Sequence, residues 1–546
     1  MFWAIVCIVQ FASAQNVVWA NEWLLSGNKT IVVNAMCTNA ANETITAGLF
    51  SDSVDFDPGP GMDILNDGYN LPHNTWSSYV CKTSNTGTHL WAKAFSLQTF
   101  SSAIQIYDVN TDGGGDIYVV GRFQRTIDFD PGPGVDSLNS SGSSGAFVVK
   151  LDASGNYIWG KTLLHNDMYM YTVKTDLNNH VIVCGNFEST VDFDPGAGVF
   201  NLTASGTNQL FVLKLDTGGD FLWANTWAYA RPNLLSHSRK NLDVDNLNNI
   251  YISGKIDQSP FDLDPGSSIQ NDTGTSFIVK LDAAGNYVWG YADSVNTPFI
   301  KYSVNSDVYV FGRKSGLPSN LFVTKFNNAG TLIWTKNLKN PIIPGSNYTG
   351  VISSITEAMN GNLLIAGLVQ NSYFLYQCDS SGNFLWVKQS PATLNKHEFN
   401  AQYNTNNELM LSGEFRDLFD VNFGAGVENL GQTGSNGSFL VKYNYCGNNQ
   451  TFNLAACDSI VLPDTTLFVT ANYVKEYLDL SNCDSNVFIH AVVHSLSDTT
   501  IIGCDSVVYN GQTYTQSGAY TQIVTPPAPR CDSIKTISVF INTPSG

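Results

Sequence analysis

Charge is scarce in this chain. Of 546 residues only 13% are Asp, Glu, Lys or Arg, and acids outnumber bases 46 to 27, for a formal net charge of −19. Without clustered Lys and Arg there is nothing to contact a phosphate backbone, which excludes a nucleic-acid partner and disfavours anionic membrane surfaces. Apolar runs are short as well. None reaches the roughly 20 residues that cross a bilayer, so no membrane span is expected. The eight His are scattered, and no His-Glu-x-x-His, Gly-x-Ser-x-Gly or phosphate-cradling Gly loop occurs. The ten Cys include no Cys-x₂-Cys pair, which counts against zinc. No catalytic residues can be nominated, and the chain reads as a non-enzyme.

What the chain has instead is aromatics at 12% and 46 glycines, arranged in a repeat. Phe147-Val-Val-Lys-Leu-Asp-Ala-Ser-Gly-Asn-Tyr-Ile-Trp159 recurs at Phe211–Trp223, Phe277–Trp289, Phe322–Trp334 and Phe374–Trp386, with a weaker copy at Tyr79–Trp91; the aromatic-to-Trp spacing is 12 in all six. Trp19 stands near the start with no aromatic partner before it, and Phe439-Leu-Val-Lys442 stands near the end with no Trp after it. Before each Phe lies an alternating apolar run ending in Gly, such as Ile117–Gly121, Val181–Gly185 and Leu409–Gly413. These runs are β-branched, short and bounded by turn residues, so they read as strands. The Asp-x-x-Gly-Asn step at Asp152–Asn156 is hairpin-turn chemistry.

With a polar strand before each Gly run, every unit has four strands. Seven such units suit an all-β, seven-bladed β-propeller, since one blade cannot bury both its faces and neighbours must stack. The split repeat predicts that Asn16–Leu24 pairs beside Phe439–Tyr443 as the outer strand of the last blade. Residues 15–445 are therefore assigned to the propeller, a closed ring expected to be monomeric, and residues 1–14 to a secretory signal. That signal ends Ala12-Ser-Ala14 but lacks the usual basic start. After Cys446 the composition shifts, and Cys-Asp-Ser occurs at Cys457, Cys483, Cys504 and Cys531. Two small β-rich, sandwich-like modules are expected, 446–497 and 498–546. Cores this small favour a bridge in each, Cys457–Cys483 and Cys504–Cys531, while Cys446 has no obvious partner.

Three constellations bear chemistry. Asp-x-Asp-Pro-Gly recurs at Asp55/Asp57, Asp128/Asp130, Asp192/Asp194 and Asp262/Asp264, degraded at Asp420/Asn422. Residues i and i+2 of a strand share a face, so each pair presents two carboxylates together, for backbone capping or for ligand or cation binding. Asp128, Asp130, Asp192 and Asp194 are taken as ligand candidates. Repetition argues against catalysis, which needs one asymmetric site. Asp108, Asn110, Asp112 and Asp116, with a carbonyl from Gly114, match the calcium loops of integrin-type propellers, and a plain polar hairpin is the alternative. Trp227, Tyr229, Arg231, His237 and Arg239 mix aromatics and cations in one connection, fit to stack a sugar ring or clasp a carboxylate.

The whole unit, Asp116-Ile-Tyr-Val-Val-Gly121 with Asp-Phe-Asp-Pro-Gly and Phe-Val-x-Lys-Leu-Asp-x-x-Gly-Asn-x-x-Trp, resembles the SBBP-type bacterial β-propeller repeat across residues 16–445. The tail is similar to Cys-Asp-Ser repeats of large secreted Bacteroidetes proteins, which often end in a type IX secretion sorting domain. This chain stops without one and is expected to be a fragment. The resemblance implies an extracellular or cell-surface location and no established activity. The leading expectation is an exported, non-enzymatic propeller for adhesion or for binding a glycan or protein ligand. An extracellular glycan-acting enzyme and a structural spacer are the alternatives.

Overall fold

The computed structural model describes residues 15–25, 30–66, 76–97, 102–165, 167–232, 241–293, 295–314, 321–338, 351–369, 372–390, 399–421, 428–431 and 436–445. In the tail it describes 450–457, 460–461, 466–467, 471–478, 484–494, 499–504, 506–509, 511–524 and 533–542. Among the described residues every regular element is a strand. Two compact units separate, Val17–Asn444 and a second that carries Tyr445–Gly546.

Among the described residues, the first unit holds seven antiparallel sheets built on one plan. Their innermost strands are Ile31–Thr38, Ala103–Thr111, Tyr169–Thr175, Leu242–Val244, Val295–Tyr302, Val351–Glu357 and Asn400–Tyr403. Next come the Gly runs and the Phe-x-x-Lys strands, and in sheets one to six the Trp strand of the same repeat lies outermost. In the seventh sheet the outermost strand is Gln15–Leu25, beside Asn436–Tyr445. The unit is a β-propeller.

Burial explains why the sheets stack. One cluster joins Ile45 and Val80 of the first sheet to Ile106, Val119 and Phe147 of the second. The next joins Tyr118 and Val148 to Val183 and Phe211 of the third. Similar clusters join the third to the fourth, the fourth to the fifth and the fifth to the sixth. Tyr373 of the sixth sheet packs on Phe439 of the seventh. The last cluster then joins Trp23, Met410 and Leu440 of the seventh to Val33 and Tyr79 of the first. The order of contacts is a cycle, so no sheet face is left to water.

The Gly that ends each run has a steric origin. The innermost strand bulges opposite it, with register shifts at Val33/Ala35, Val120/Gly121 and Met170/Thr172. This brings a carbonyl onto the glycine: a Cβ on Gly185 would lie 1.8 Å from the Tyr169 oxygen. The Asp-x-Asp-Pro-Gly segments form short hairpins or strand extensions on the first, second, third and fourth sheets, and Phe419–Asp420 pairs with Asn429–Leu430 on the seventh.

The tail contains two sheets of one topology. Gln450–Cys457 runs parallel to Asp484–His494, which pairs with Ala471–Leu478. Thr499–Cys504 runs parallel to Ser533–Asn542, which pairs with Gly518–Val524. Cys446, Cys483 and Cys531 fall outside the described residues, and so do both expected bridges. The registers set Cys457 opposite His494 and Cys504 opposite Asn542, the ends of those strands remote from Asp484 and Ser533. Cys37, Cys81, Cys184 and Cys378 are buried in the propeller.

Candidate functional site

The repeated carboxylates turn back onto their own backbone. Asp128 Oδ1 accepts the Asp130 N–H at 3.2 Å and the Asp136 N–H at 2.9 Å, and Asp130 Oδ1 accepts the Gly132 N–H at 2.7 Å. Asp192 and Asp194 do the same with Asp194, Phe200 and Gly196. Between the two acids, Phe129 and Phe193 are fully buried and pack on Phe147 and Phe211 at 5.0 and 4.9 Å. The motif is a capped loop with an aromatic plug.

The five residues of the expected calcium loop are not gathered around one point. Asp112 Oδ1 accepts the Gly114 and Asp116 N–H groups at 2.9 and 3.0 Å, and its other oxygen accepts the Tyr118 hydroxyl. Lys150 Nζ lies 2.9 Å from Asp116 and 3.8 Å from Asp112, so an ammonium already stands between these carboxylates. Asp108 points away and accepts the Val173 N–H of the next sheet at 3.1 Å. Among the described residues no three His, Cys, Asp or Glu side chains converge as metal ligands. This donor set does not fit calcium. The lysine is a repeated device: Lys214 meets Asp176 at 2.9 Å, Lys325 meets Asp307 at 2.7 Å and Lys442 meets Glu408 at 2.6 Å.

Trp227 is not on a ligand face, contrary to the sequence expectation. It is 1% exposed, donates from Nε1 to the Leu263 carbonyl at 2.9 Å and packs on Phe277. Trp23 makes the equivalent bond to the Phe56 carbonyl at 3.0 Å. Both follow a repeat Trp by four residues and plug the base of an acidic loop, where the ring leaves water and its N–H finds a partner. Tyr229 is 44% exposed, Arg231 donates to Asp257 at 2.7 Å, and His237 and Arg239 fall outside the described residues.

Two belts hold neighbouring sheets together. On the outside, Trp19, Trp91, Trp159, Trp223, Trp289 and Trp334 each lie over the turn glycine of the following sheet, where Gly285 (φ +87) would carry a Cβ 2.8 Å from the Trp223 ring. Trp159, Trp223 and Trp289 donate to the carbonyls of Thr217, Ala283 and Asn328 in those turns. Trp19 does so to Asn85, carrying the belt from the closing strand to the first sheet. On the inside, side chains of one innermost strand bond the next: Asn34 to the Ile106 carbonyl, Ser354 to that of Ala401 and Asn400 to that of Val33.

Inside the inner belt lies a cavity of about 200 Å³, to which all seven innermost strands contribute. Sequence reasoning missed it. In every sheet, the residue paired with the position three before the run-ending Gly sits at the same height. These residues are Cys37, Asn110, Lys174, Asp243, Lys301, Thr356 and Gln402. All seven line the cavity. Lys301 Nζ is 3.2 Å from Asp243, Lys174 Nζ is 3.8 Å from it, and the Tyr302 N–H donates to Asp243 at 2.8 Å. Burial pushes the Asp243 carboxyl up, but Lys301, Lys174 and that N–H more than offset it and hold the group below the usual carboxylate value. Burial depresses the Lys301 ammonium, while Asp243 and Glu357 raise it above its ordinary value.

One further cluster has the look of a nucleophile. Cys81 Sγ is 3.7 Å from His89 Nδ1, and His89 Nε2 is 2.8 Å from Asp63. The thiol is fully buried, and burial with the nearby Asp63 charge pushes it well above its ordinary value. A neutral thiol out of reach of solvent is not an attacking group.

No protein-family model matches the chain. It is 27% identical, over 229 aligned residues, to an uncharacterized WD repeat-containing protein, L264, of Acanthamoeba polyphaga mimivirus. That alignment covers 35% of this chain and 15% of the relative's length, so the chain spans under a fifth of it. Among solved structures, the Dos1 propeller matches 79% of this chain and 96% of its own at 12% identity and a TM-score of 0.39. A catalytically inactive virginiamycin B lyase from Staphylococcus aureus, with quinupristin, matches 77% and 98% at 8% identity and 0.37. A protein of unknown function from Dyadobacter fermentans matches 61% and 93% at 12% identity and 0.35. Likenesses at these scores carry nothing over to function.

Proposed function

We propose that this chain is an exported, seven-bladed β-propeller that binds an extracellular ligand without chemistry, in adhesion or capture at a cell surface. One observation carries the reading. The scaffold repeats its glycines, tryptophans and brace lysines from sheet to sheet, yet the ring that faces the axis uses a different residue in most sheets. Positions that a fold needs are repeated with it; positions that vary on a repeated frame are available for recognition. The signal-like start and the Cys-Asp-Ser tail support display outside the cell. The repeated, backbone-capping carboxylates and the buried Cys81 support a non-catalytic role.

The test is a binding screen of the full chain against immobilised glycans and extracellular glycoproteins, with product analysis on every hit. Saturable binding to one class of ligand without product is expected. Turnover of a bound glycan would show an enzyme instead, and an empty screen would leave a spacer as the better description.

A further inference from the structure

We propose that the folded chain joins Lys280 to Asn328 by an isopeptide bond, fastening the fourth sheet of the propeller to the fifth. Lys280 is the brace lysine of the fourth sheet and is buried. Its Nζ donates to the side-chain carbonyl of Asn328, in the turn between the last two strands of the fifth sheet, and to the Asn328 backbone carbonyl at 3.3 Å. The fold asks only for the backbone contact. Lys82, Lys214 and Lys325 donate to the corresponding carbonyls of Ala153, Ala283 and Ser380, none of which carries a carboxamide. An amine held against an amide within one frame needs no bimolecular encounter to react.

The neighbours supply the chemistry. The fully buried Tyr251 hydroxyl lies 2.6 Å from Asn328 Oδ1 and 3.0 Å from Asp245 Oδ2. Its one proton can serve either oxygen, and turned to Asn328 it polarises the carbonyl. Burial, with the Asp245 charge, keeps this phenol protonated far above its ordinary range, so it remains a donor. Asp245 is itself buried and stands 3.7 Å from Lys280 Nζ, in place to take the proton that the nitrogen sheds. Burial holds the Lys280 ammonium below its ordinary value against the pull of Asp245, which raises the share of neutral amine. The rings of Tyr302 and Trp289 pack on Tyr251 at 5.4 and 6.2 Å and limit access of water.

The step balances without a co-reactant. Neutral Lys280 Nζ attacks Asn328 Cγ, and the carbonyl electron pair moves to Oδ1, where the Tyr251 O–H stabilises the oxyanion. Asp245 takes a proton from Nζ and returns it to the Asn328 side-chain nitrogen. The carbonyl then reforms, the original C–N bond breaks and ammonia leaves. One amide replaces another, so nothing is oxidised or reduced. The seventh sheet supplies the contrast. Lys442 donates to Asn85 Oδ1 at 2.7 Å, but Met410 stands where Tyr251 does, and Glu408 pairs with the lysine at 2.6 Å. That site has amine and amide without the hydroxyl, and no bond is expected there.

The test is mass spectrometry of the full chain, freshly purified and after prolonged warming. The parent should weigh one ammonia less than its sequence. Its tryptic digest should contain a branched peptide, residues 256–301 joined to 326–336, with Lys280 uncleaved. Lys280→Arg and Asn328→Ala should each abolish that peptide, and Asn328→Ala keeps the backbone carbonyl that the fold uses. Tyr251→Phe should slow linkage by roughly a hundredfold, while Lys442→Arg should leave it unchanged. Finding 326–336 only as a separate peptide in the warmed parent would overturn the proposal, even where an ammonia had been lost elsewhere in the chain. Linkage in Tyr251→Phe at the parental rate would overturn the role given to the hydroxyl.

Discussion

A single methyl group added at Gly185 would lie 1.8 Å from the Tyr169 carbonyl, a backbone atom that cannot swing away. Gly185→Ala should therefore destabilise the propeller by about 2–3 kcal/mol, read as a lower urea midpoint at unchanged slope. Asp176 makes a second residue-scale case. Its side chain is fully buried, meets Lys214 at 2.9 Å and accepts the N–H groups of Asn178 and His180. Burial raises its carboxyl, but Lys214 and the His180 N–H outweigh that and hold it below the usual value. A depressed folded value means its stabilisation is complete above the unfolded value, about 4, and is lost as pH falls through the folded one. Asp176→Asn should cost about 3–5 kcal/mol at pH 7, because it leaves Lys214 buried without its acid. It should also lose less stability than the parent between pH 6 and 3. Equal acid sensitivity in urea melts of the two proteins would refute the assignment of that pair.

At the scale of elements, the strand Gln15–Leu25 deserves a direct experiment, because it covers the edge of Asn436–Tyr445. Its Trp23 is 2% exposed, packs with Val33, Phe56 and Leu440, and donates to the Phe56 carbonyl. Trp23→Ala should cost about 3–5 kcal/mol in a urea melt. Deleting the strand should leave an open sheet edge, seen as dimers or larger species by size exclusion, and a peptide of residues 15–25 added in trans should restore the parent elution volume. The strands themselves were legible. The 12-residue aromatic-to-Trp spacing, the run-ending Gly and the orphaned Trp19 are contact requirements repeated often enough to stand out from a sequence. Trp227 was misread because an aromatic in a long connection looks exposed until its distance from Trp223 is compared with that of Trp23 from Trp19. The Asp108–Asp116 pattern suggested a cation because turn acids and belt acids, which serve different neighbours in space, fall at alternate positions along the chain.

For the molecule as a whole, the axial ring was illegible for a physical reason. Its members lie about one repeat apart, use six residue types in seven places and follow no motif spacing, and only closure of the cycle brings them together. What a repeat conserves is visible by comparing its copies; what it varies gains meaning only from the shared axis. Residues 15–445 have their own closed core, so that segment produced without the tail should melt in one cooperative transition near the temperature of the full chain's main transition. Separate transitions for parts of the propeller, in differential scanning calorimetry, would show that the cycle is not one folding unit.

Sharing the seventh sheet between the two ends of the propeller also sets an order of events. Within the propeller, the strand made first is the last that can dock, since its partner edge does not exist until more than 400 residues later. The search for so distant a partner favours slow folding, with local hairpins formed early and the ring open until the end. From its synthesis until Gln15–Leu25 docks, the edge of Asn436–Tyr445 can accept the wrong strand, so crowding among newly made copies is the moment of greatest hazard for this protein.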